Sequence, residues 1–551
     1  MRVGGDSGFP GLGVRIRQAA LPHAGDIHDM AKRHSTTPIN TAELTPDICQ
    51  RAVHARDPRF DGVFFVAITT TGVYCRPVCP ARVVHAERRR FFLSAAAAEH
   101  AGYRPCLRCR PELAPGRAIC DAVSRLAGTA AHRIAAGGLN GRSVAQLARE
   151  LCVSERHLRR ALERELGVTP VELAQTHRLL LAKRLLADTD LSITRIAYAS
   201  GFQSLRRFNS VFRDRYRMPP SALRRSPQAA RAARGNEGSD VLRLTLSYRA
   251  PFAWDALLAE LGRDAIPGIE LIACGQYART VRLNGATGVV CAWDAAHERG
   301  ARSTRRSSRS THLNIALSTS LLPELMPLLA KLRHLFDLDA EPSVIDGHLA
   351  QGGLGDLIRR LPGVRIPGAF DGFEIALRLI LGMDASAGAA QRGLAQHIAE
   401  QLGERIDTGQ PALALLAPDA ERVADAGALR LAALGVTRAS AEAIVRIARA
   451  VAEGTLRLEP GADVTPTREA LAETMGLGSE VASIISMRAL RWPDAFPAAD
   501  PALQRAIGVT SERALLERAE SWRPWRAYAA ARLSGIISIE NSKPRARPAV
   551  A

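Results

Sequence analysis

The stretches TTGVYCRPVCP (residues 70–80) and GYRPCLRCRP (residues 102–111) set Cys75 and Cys79 as C-x3-C and Cys106 and Cys109 as C-x2-C, with 26 residues between the pairs. Each pair is tight enough to sit on one turn, and two such pairs can close four thiolates tetrahedrally around zinc. Zn2+ is therefore the expected cofactor, with Cys75, Cys79, Cys106 and Cys109 as its ligands. A purely structural zinc ribbon and unrelated buried thiols are the alternatives, and spacing alone does not say whether the metal takes part in chemistry. The other cysteines (Cys49, Cys120, Cys152, Cys274 and Cys291) are scattered and odd in number, which is not a disulfide framework.

GVFFVAI (62–68) is a short β-like run and SAAAAEHAGY (94–103) is Ala-rich, so the cysteines belong to a small zinc-binding α/β domain over residues 43–116. TTGVYCRPVCPAR followed by AGYRPCLRCRP resembles the N-terminal domain of the Ada-type adaptive-response proteins. The resemblance implies that Cys75, as a zinc-bound thiolate, takes a methyl group irreversibly from a methyl phosphotriester in DNA, with Cys79, Cys106 and Cys109 as the remaining ligands. Thiolate rather than thiol is the nucleophile, and zinc keeps it deprotonated at neutral pH. Four thiolates on one Zn2+ leave a double negative charge facing DNA phosphates. A thioether at Cys75 removes one of those charges, so methyl acceptance should raise DNA affinity and turn repair into sensing. The second methyl acceptor that such proteins often carry in Pro-Cys-His-Arg is missing, since the only Pro-Cys is Pro105–Cys106. Direct repair of O6-alkylguanine is not expected.

Residues 141–235 hold 19 Arg and Lys against 8 Asp and Glu, a net +11. A charge run is often only a solvated face, but here it coincides with two helix-turn-helix patterns. SVAQLARELCVSERHLRRALERELG starts a helix near Ser143, breaks near Cys152–Val153 and restarts behind a Ser154 cap, turning Arg156, Arg159 and Arg160 outward. SITRIAYASGFQSLRRFNSVFRDRYRMPP turns at Gly201 and presents Gln203, Ser204, Arg206, Arg207 and Asn209. Two units joined by one long helix over about 170–187 resemble the AraC-type DNA-binding domain, an all-α double helix-turn-helix. Outward Arg and Gln suit base edges and phosphates. The bland alternative is a helical bundle with a basic surface.

Beyond a linker, VLRLTLSY, IELIACG, ARTVRL, GVVCAW and LNIALS are strand-like and flank helical FAWDALLAELG and LPELMPLLAKLRHLF, which gives an α+β sheet domain. Helices broken by Gly and Pro then run to about residue 540. The sheet segments and SWRPWRAYAAARL resemble the AlkA-type alkylpurine glycosylases. GLGSEVASIISMRALRWPDAFPAADPALQRAIG resembles the hairpin and catalytic aspartate of the helix-hairpin-helix DNA glycosylases, an all-α domain. That resemblance implies that the hairpin amides of Gly476, Leu477 and Gly478 grip a backbone phosphate. It also implies that Asp500, twenty-two residues beyond Gly478, stabilises an oxocarbenium-like sugar or orients water while a flipped, alkylated purine is cleaved off. The bland reading of Asp500 is a helix N-cap before PALQRAIG.

Several positions depart from the glycosylase pattern. Glu480 stands at an aromatic position, Ile484 at a tyrosine position and Ser534 where an aromatic residue is common; Met383 and Asp384 stand where a Gln and a wedge are expected. Each lost aromatic face removes about 1–3 kcal/mol of base stacking.

The whole chain has 551 residues, a net charge of +19 and a mean hydropathy of −0.05. That length suggests about three or four domains, and the charge favours polyanions. No apolar run approaches a bilayer span, so no membrane partner is expected. The N-terminal residues lack a secretory signal pattern, so a cytoplasmic, nucleoid-associated location is expected. The expected layout is a flexible leader (1–42), the zinc domain (43–116), the helix-turn-helix domain (117–228), a linker (229–240), the sheet domain (241–340), the glycosylase domain (341–540) and a tail (541–551). A basic loop with Arg302, Arg305, Arg306 and Arg309 interrupts the sheet, and Met30 is a conceivable alternative start. The function that follows is a DNA alkylation response joining methyl acceptance, transcriptional regulation and excision of alkylated purines. Its partners are double-stranded DNA, alkylated or promoter, and RNA polymerase. The alternative is a methylation-sensing regulator whose glycosylase half is weak or inactive and only binds DNA.

Overall fold

A computed structural model describes residues 44–81, 84–116, 125–224, 240–294, 311–384, 388–474 and 476–541. The leader, most of the linker, the basic loop with its four arginines and nearly all of the tail lie outside the described residues.

The zinc-bearing region begins with α1 (Pro46–Ala55), which is capped by Thr45 with Pro46 at the first helical position. Strands β1 (Phe65–Ile68), β2 (Val73–Cys75), β3 (Arg89–Phe92) and β4 (Arg104–Pro105) form a sheet of order β3-β1-β2-β4, and α2 (Ala95–His100) packs beside it. The decisive pairing is parallel: β2 runs beside β4 with Tyr74 opposite Pro105. Both strands therefore end at the same edge, and a cysteine pair starts from each end.

Helices α3 (Arg125–Ala135), α4 (Val144–Glu150), α5 (Glu155–Leu166), α6 (Pro170–Asp188), α7 (Ile193–Ala199), α8 (Leu205–Tyr216) and α9 (Pro220–Arg224) follow. Ser143, Ser154, Thr169, Ser192 and Ser204 cap α4 to α8 in turn, each side chain accepting from a first-turn amide. Cys152, at φ 55°, makes the turn between α4 and α5, and Gly201, at φ 84°, makes the turn between α7 and α8. The middle of α6 is buried on all sides, from Leu181 to Leu186, as befits a helix enclosed by neighbours.

Strand β5 (Val241–Ser247), α10 (Trp254–Arg263), β6 (Glu270–Ala273), β7 (Gln276–Leu283), β8 (Ala286–Asp294) and β9 (His312–Ser318) build an antiparallel sheet of order β5-β9-β8-β7-β6, and α11 (Leu325–Leu335) covers it. One apolar core runs from Leu179, Leu185, Ile196 and Phe208 through Leu244, Leu317, Leu322 and Leu332. The second helix-turn-helix unit and the sheet are thus not separate cores.

The remainder is α12 (Pro342–Leu349), α13 (Gly355–Arg360), α14 (Gly372–Asp384), α15 (Gly388–Leu402), α16 (Ala420–Ala433), α17 (Arg438–Ala452), α18 (Val464–Glu469), α19 (Ser479–Arg488), α20 (Pro501–Ile507), α21 (Glu512–Ala519) and α22 (Arg526–Asn541). One core unites α14 to α17 with α19; another unites α12 with α20 to α22. The expectation of an all-α domain is met apart from a two-residue ladder, β10 (Glu404–Arg405) against β11 (Leu415–Leu416). Residues from Arg488 to Pro501 cross between these two cores and carry Asp500.

Candidate functional site

Because β2 and β4 end side by side, the Cys106 amide donates to the Tyr74 carbonyl at 2.9 Å, and the cysteine pairs close on one another. The Sγ atoms of Cys75, Cys79, Cys106 and Cys109 all lie within 4.8 Å of one another. Tetrahedral Zn–S bonds need sulfurs about 3.8 Å apart, so a small inward movement suffices, and an all-sulfur donor set suits zinc. Cys75 and Cys109 are buried, while Cys79 and Cys106 are half-buried. Hydrogen bonding to Cys106, Cys109 and Cys79, together with burial, pushes the Cys75 thiol up. Crowded sulfurs share protons, which a divalent cation displaces. The Arg76 amide donates to Cys109 Sγ at 3.4 Å, and the Arg76 guanidinium pairs with Asp61, Nε to Oδ1 at 2.7 Å. Cys49 and Cys291 stand apart; burial pushes their thiols up to about 11 and about 12.

On α5, Leu158 and Leu162 face inward while Arg156, Arg159 and Arg160 are exposed; Arg159 also pairs with Glu155 at 3.2 Å. Gln203, Ser204, Arg206 and Arg207 are exposed at the start of α8, and Ser204 Oγ accepts from the Arg207 amide at 3.3 Å. Asn209 is half-buried.

Gly476 takes φ 69°, a left-handed conformation that favours glycine, and Gly478 is the N-cap of α19. Leu477 turns inward, 4% exposed. The Leu477 amide donates to the Leu471 carbonyl at 3.1 Å, so of the three expected amides this one is already engaged; the first-turn amides of α19 have no intrahelical acceptor, as at any helix start. Asp500 caps α20: its Oδ1 accepts from the Ala502 amide at 2.7 Å. The bland reading of this residue is therefore structurally correct, and it leaves Oδ2 for other work. Burial, and then the charges of Asp500 and Glu512, push the Glu480 carboxyl up, so Glu480 and Asp500 share one electrostatic environment. Met383 is 55% exposed at the end of α14, and the side chain of Asp384 lies outside the described residues. Ile484 and Ser534 are half-buried.

Sequence reasoning missed a buried polar interface between the zinc-bearing region and α6. Lys183, 2% exposed, pairs with Glu112 and donates to the Cys106 carbonyl at 3.3 Å. Arg110 forks onto Asp188 at 2.7 Å through both nitrogens. The signal was Lys183 and Arg184 within the otherwise apolar LLLAKRLL.

Three family models match the chain: the metal binding domain of Ada over residues 48–112, a helix-turn-helix domain over 147–226 and the AlkA N-terminal domain over 243–371. A protein of Mycobacterium tuberculosis (strain CDC 1551 / Oshkosh) named as a probable bifunctional transcriptional activator/DNA repair enzyme AlkA is 35% identical, across 87% of this chain and 94% of that protein. The chain belongs to this family of bifunctional activator and repair proteins. Within the family frame, its C-terminal part is 33% identical to the DNA-3-methyladenine glycosylase 2 of Escherichia coli (strain K12), over 52% of this chain and 94% of that enzyme. Its N-terminal part is 33% identical to the bifunctional transcriptional activator/DNA repair enzyme Ada of the same organism, over 29% of this chain and 43% of that protein. The Ada-type zinc-binding domain and the four-sulfur cluster together make zinc the cofactor. The helix-turn-helix domain makes DNA a partner. Among the described residues no helix is long and apolar enough to cross a membrane.

Proposed function

We propose that the chain is a DNA alkylation-response protein whose activator and repair functions rest on Cys75, on helices α5 and α8, and on Asp500. The observation that carries the reading is the convergence of four sulfurs at the shared edge of β2 and β4. Cys75, Cys79, Cys106 and Cys109 would hold zinc, which when bound keeps the sulfurs as thiolates at neutral pH. The Cys75 sulfur lone pair attacks the methyl carbon of a methyl phosphotriester. An S–CH3 bond forms, the O–CH3 bond breaks, and its electron pair stays on the phosphate oxygen, restoring the diester anion. No proton moves. The lost negative charge at sulfur lowers repulsion between the protein and DNA phosphates, and the exposed arginines of α5 and α8 take up the gain.

In the C-terminal half, Gly476, Gly478 and the first turn of α19 supply amide donors to a phosphate, and the Asp500 carboxylate faces the sugar. The C1′–N bond breaks with its electron pair leaving on the base. Water then adds to C1′ and gives up a proton to Asp500 or solvent. As an activator the protein acts on RNA polymerase, working in the cytoplasm on the nucleoid.

Two measurements on the zinc-loaded chain test this. Exposure to duplex DNA carrying a methyl phosphotriester should add the mass of one CH2 to the peptide containing Cys75, and Cys75→Ala should abolish it. Methylated duplex should release free 3-methyladenine and 7-methylguanine. A folded chain that releases neither supports the second reading, a regulator whose C-terminal half only binds DNA. That reading is favoured by Glu480 in place of an aromatic face, its carboxyl pushed up by burial and by the charges of Asp500 and Glu512.

A further inference from the structure

One buried carboxylate joins the strand that carries Cys75 to helices α6 and α8. Glu99, in α2, is 2% exposed. Its Oε1 accepts from the Tyr74 hydroxyl at 3.0 Å and its Oε2 from the Thr176 hydroxyl at 2.9 Å. Arg215 Nε stands 3.8 Å from Oε2, and a second nitrogen of Arg215 donates to the Glu99 carbonyl. Each partner comes from a different element. Tyr74 is on β2 immediately before Cys75, Thr176 is on α6, and Arg215 is in the last turn of α8, whose first turn exposes Arg206 and Arg207. Beside Arg215, the Tyr216 hydroxyl donates to the Leu179 carbonyl of α6 at 3.3 Å.

An apolar residue would fill such a place without the desolvation cost of a carboxylate. What a fully bonded carboxylate adds is directional linkage among its partners. The far side of the sulfur cluster is held to the same helix, since Lys183 of α6 binds the Cys106 carbonyl and Glu112. The Cys75 side is packed with Phe60, Phe64 and Val66, and a close-packed site cannot accept a methyl without shifting its neighbours. The strand that carries Cys75 reaches Glu99 through the Tyr74 hydroxyl. Helix α8 spans 12 residues, about 18 Å, so a shift at its Arg215 end is carried to its reading end.

We propose that Glu99 is a positioning residue that couples methyl acceptance to the second reading helix. Displacement at Cys75 passes through Tyr74 to Glu99, and from there to α6 and to the Arg215 end of α8. The proposal rests on Cys75 being the acceptor, and the two are separated by different readouts.

The test uses the full zinc-loaded chain, a duplex carrying one methyl phosphotriester as donor, and Tyr74→Phe and Thr176→Val, which each delete one bond to Glu99 at nearly constant shape. Mass spectrometry follows Cys75, and amide hydrogen exchange follows residues 205–216 after the DNA is removed. In the unaltered chain, exchange across 205–216 should change by about threefold or more once Cys75 is methylated. In Tyr74→Phe that change should vanish, and in Thr176→Val, which leaves Arg215 on Glu99, it should shrink while the methyl mass is still gained. Thr176→Val carries the test alone if Tyr74→Phe fails to fold. A wild-type exchange change surviving in the variants overturns the coupling, as does an unaltered chain that gains the mass without any change in 205–216. Absence of the mass gain in the unaltered chain removes the acceptor reading itself, and the coupling with it.

Discussion

The cap that Asp500 makes and the catalytic charge proposed for it can be separated by a pair of substitutions. As the N-cap of α20 it accepts from the Ala502 amide at 2.7 Å through Oδ1. Asparagine caps as well as aspartate, so Asp500→Asn should keep that bond and change stability by less than about 0.5 kcal/mol. Asp500→Ala loses the cap and costs about 1 kcal/mol. The charge is a different matter. A carboxylate about 4 Å from a developing positive sugar, at an effective dielectric of about 20, contributes about 4 kcal/mol, or about a thousandfold in rate. Both variants should therefore lose about a thousandfold in release of 3-methyladenine and 7-methylguanine, while only the alanine variant loosens the helix Pro501–Ile507. Chromatography of free base from methylated duplex gives the first quantity, and amide exchange over 501–507 gives the second. An asparagine variant that releases base at the unaltered rate would falsify the catalytic assignment and leave Asp500 as a cap. An asparagine variant in which the helix also opens would show that cap and charge are not separable here.

Lys183→Met should destabilise the chain by about 3 kcal/mol in urea unfolding, because it breaks the buried Lys183–Glu112 pair and leaves Glu112 its ion pair with Arg110 at 3.0 Å; adding Glu112→Gln should recover most of the loss. Burial outweighs Arg215, Thr176 and Tyr74 and pushes the Glu99 carboxyl up to about 7 from an ordinary 4.5. A carboxyl raised on folding contributes stability that is complete below its unfolded pKa and lost as pH rises through the folded one. Glu99→Gln should accordingly gain on the unaltered chain, in urea unfolding, as pH rises from 5 to 8, and a pH-independent difference would refute this. Stripping zinc with a chelator should unprotect residues 44–116 in amide exchange while leaving the core of α14 to α17 and α19 protected, since ligand binding supplies much of a small metal domain's folding energy.

The cysteine pairs were legible from spacing because each pair sits on one turn, yet their closure depends on the parallel pairing of β2 with β4. Strands of three and two residues carry too little alternation to announce that pairing. Ser143, Ser154 and the turns at Cys152 and Gly201 were readable because caps and left-handed turns are local chemistry. So were the strands of the larger sheet, through their β-branched and leucine runs. The merger of residues 179–223 with 242–338 in one core was not readable, since nothing local to either segment names its partner. One clue existed. The absence of a polar stripe along the middle of α6 signals a helix enclosed on every side, and Lys183, Arg184 and Thr176 are its contacts with neighbours on both sides. At the glycosylase end, position singles out Asp500 as a candidate, while Glu480 reads from sequence only as a missing aromatic. Its shared environment with Asp500 requires the path of residues 488–501 between two cores.

The core shared by α6 to α8 and the five-stranded sheet has a consequence for how the protein surveys a genome. Arg133 of α3 also reaches Glu459 at 2.6 Å, and Arg457 reaches the Glu150 carbonyl at 2.6 Å, so the first helix-turn-helix unit also touches the loop between α17 and α18. The two halves are not beads on a string whose spacing is set by a flexible tether. On the proposed function, a duplex held by α5 and α8 has the hairpin at Gly476–Gly478 joined to it through this shared core, so the local concentration of repair centre depends on packing as well as on linker length. Lengthening the segment between residues 224 and 240 should leave that packing unchanged. In this architecture the promoter reader and the lesion reader share an address, and the order in which they engage DNA is a property of the frame.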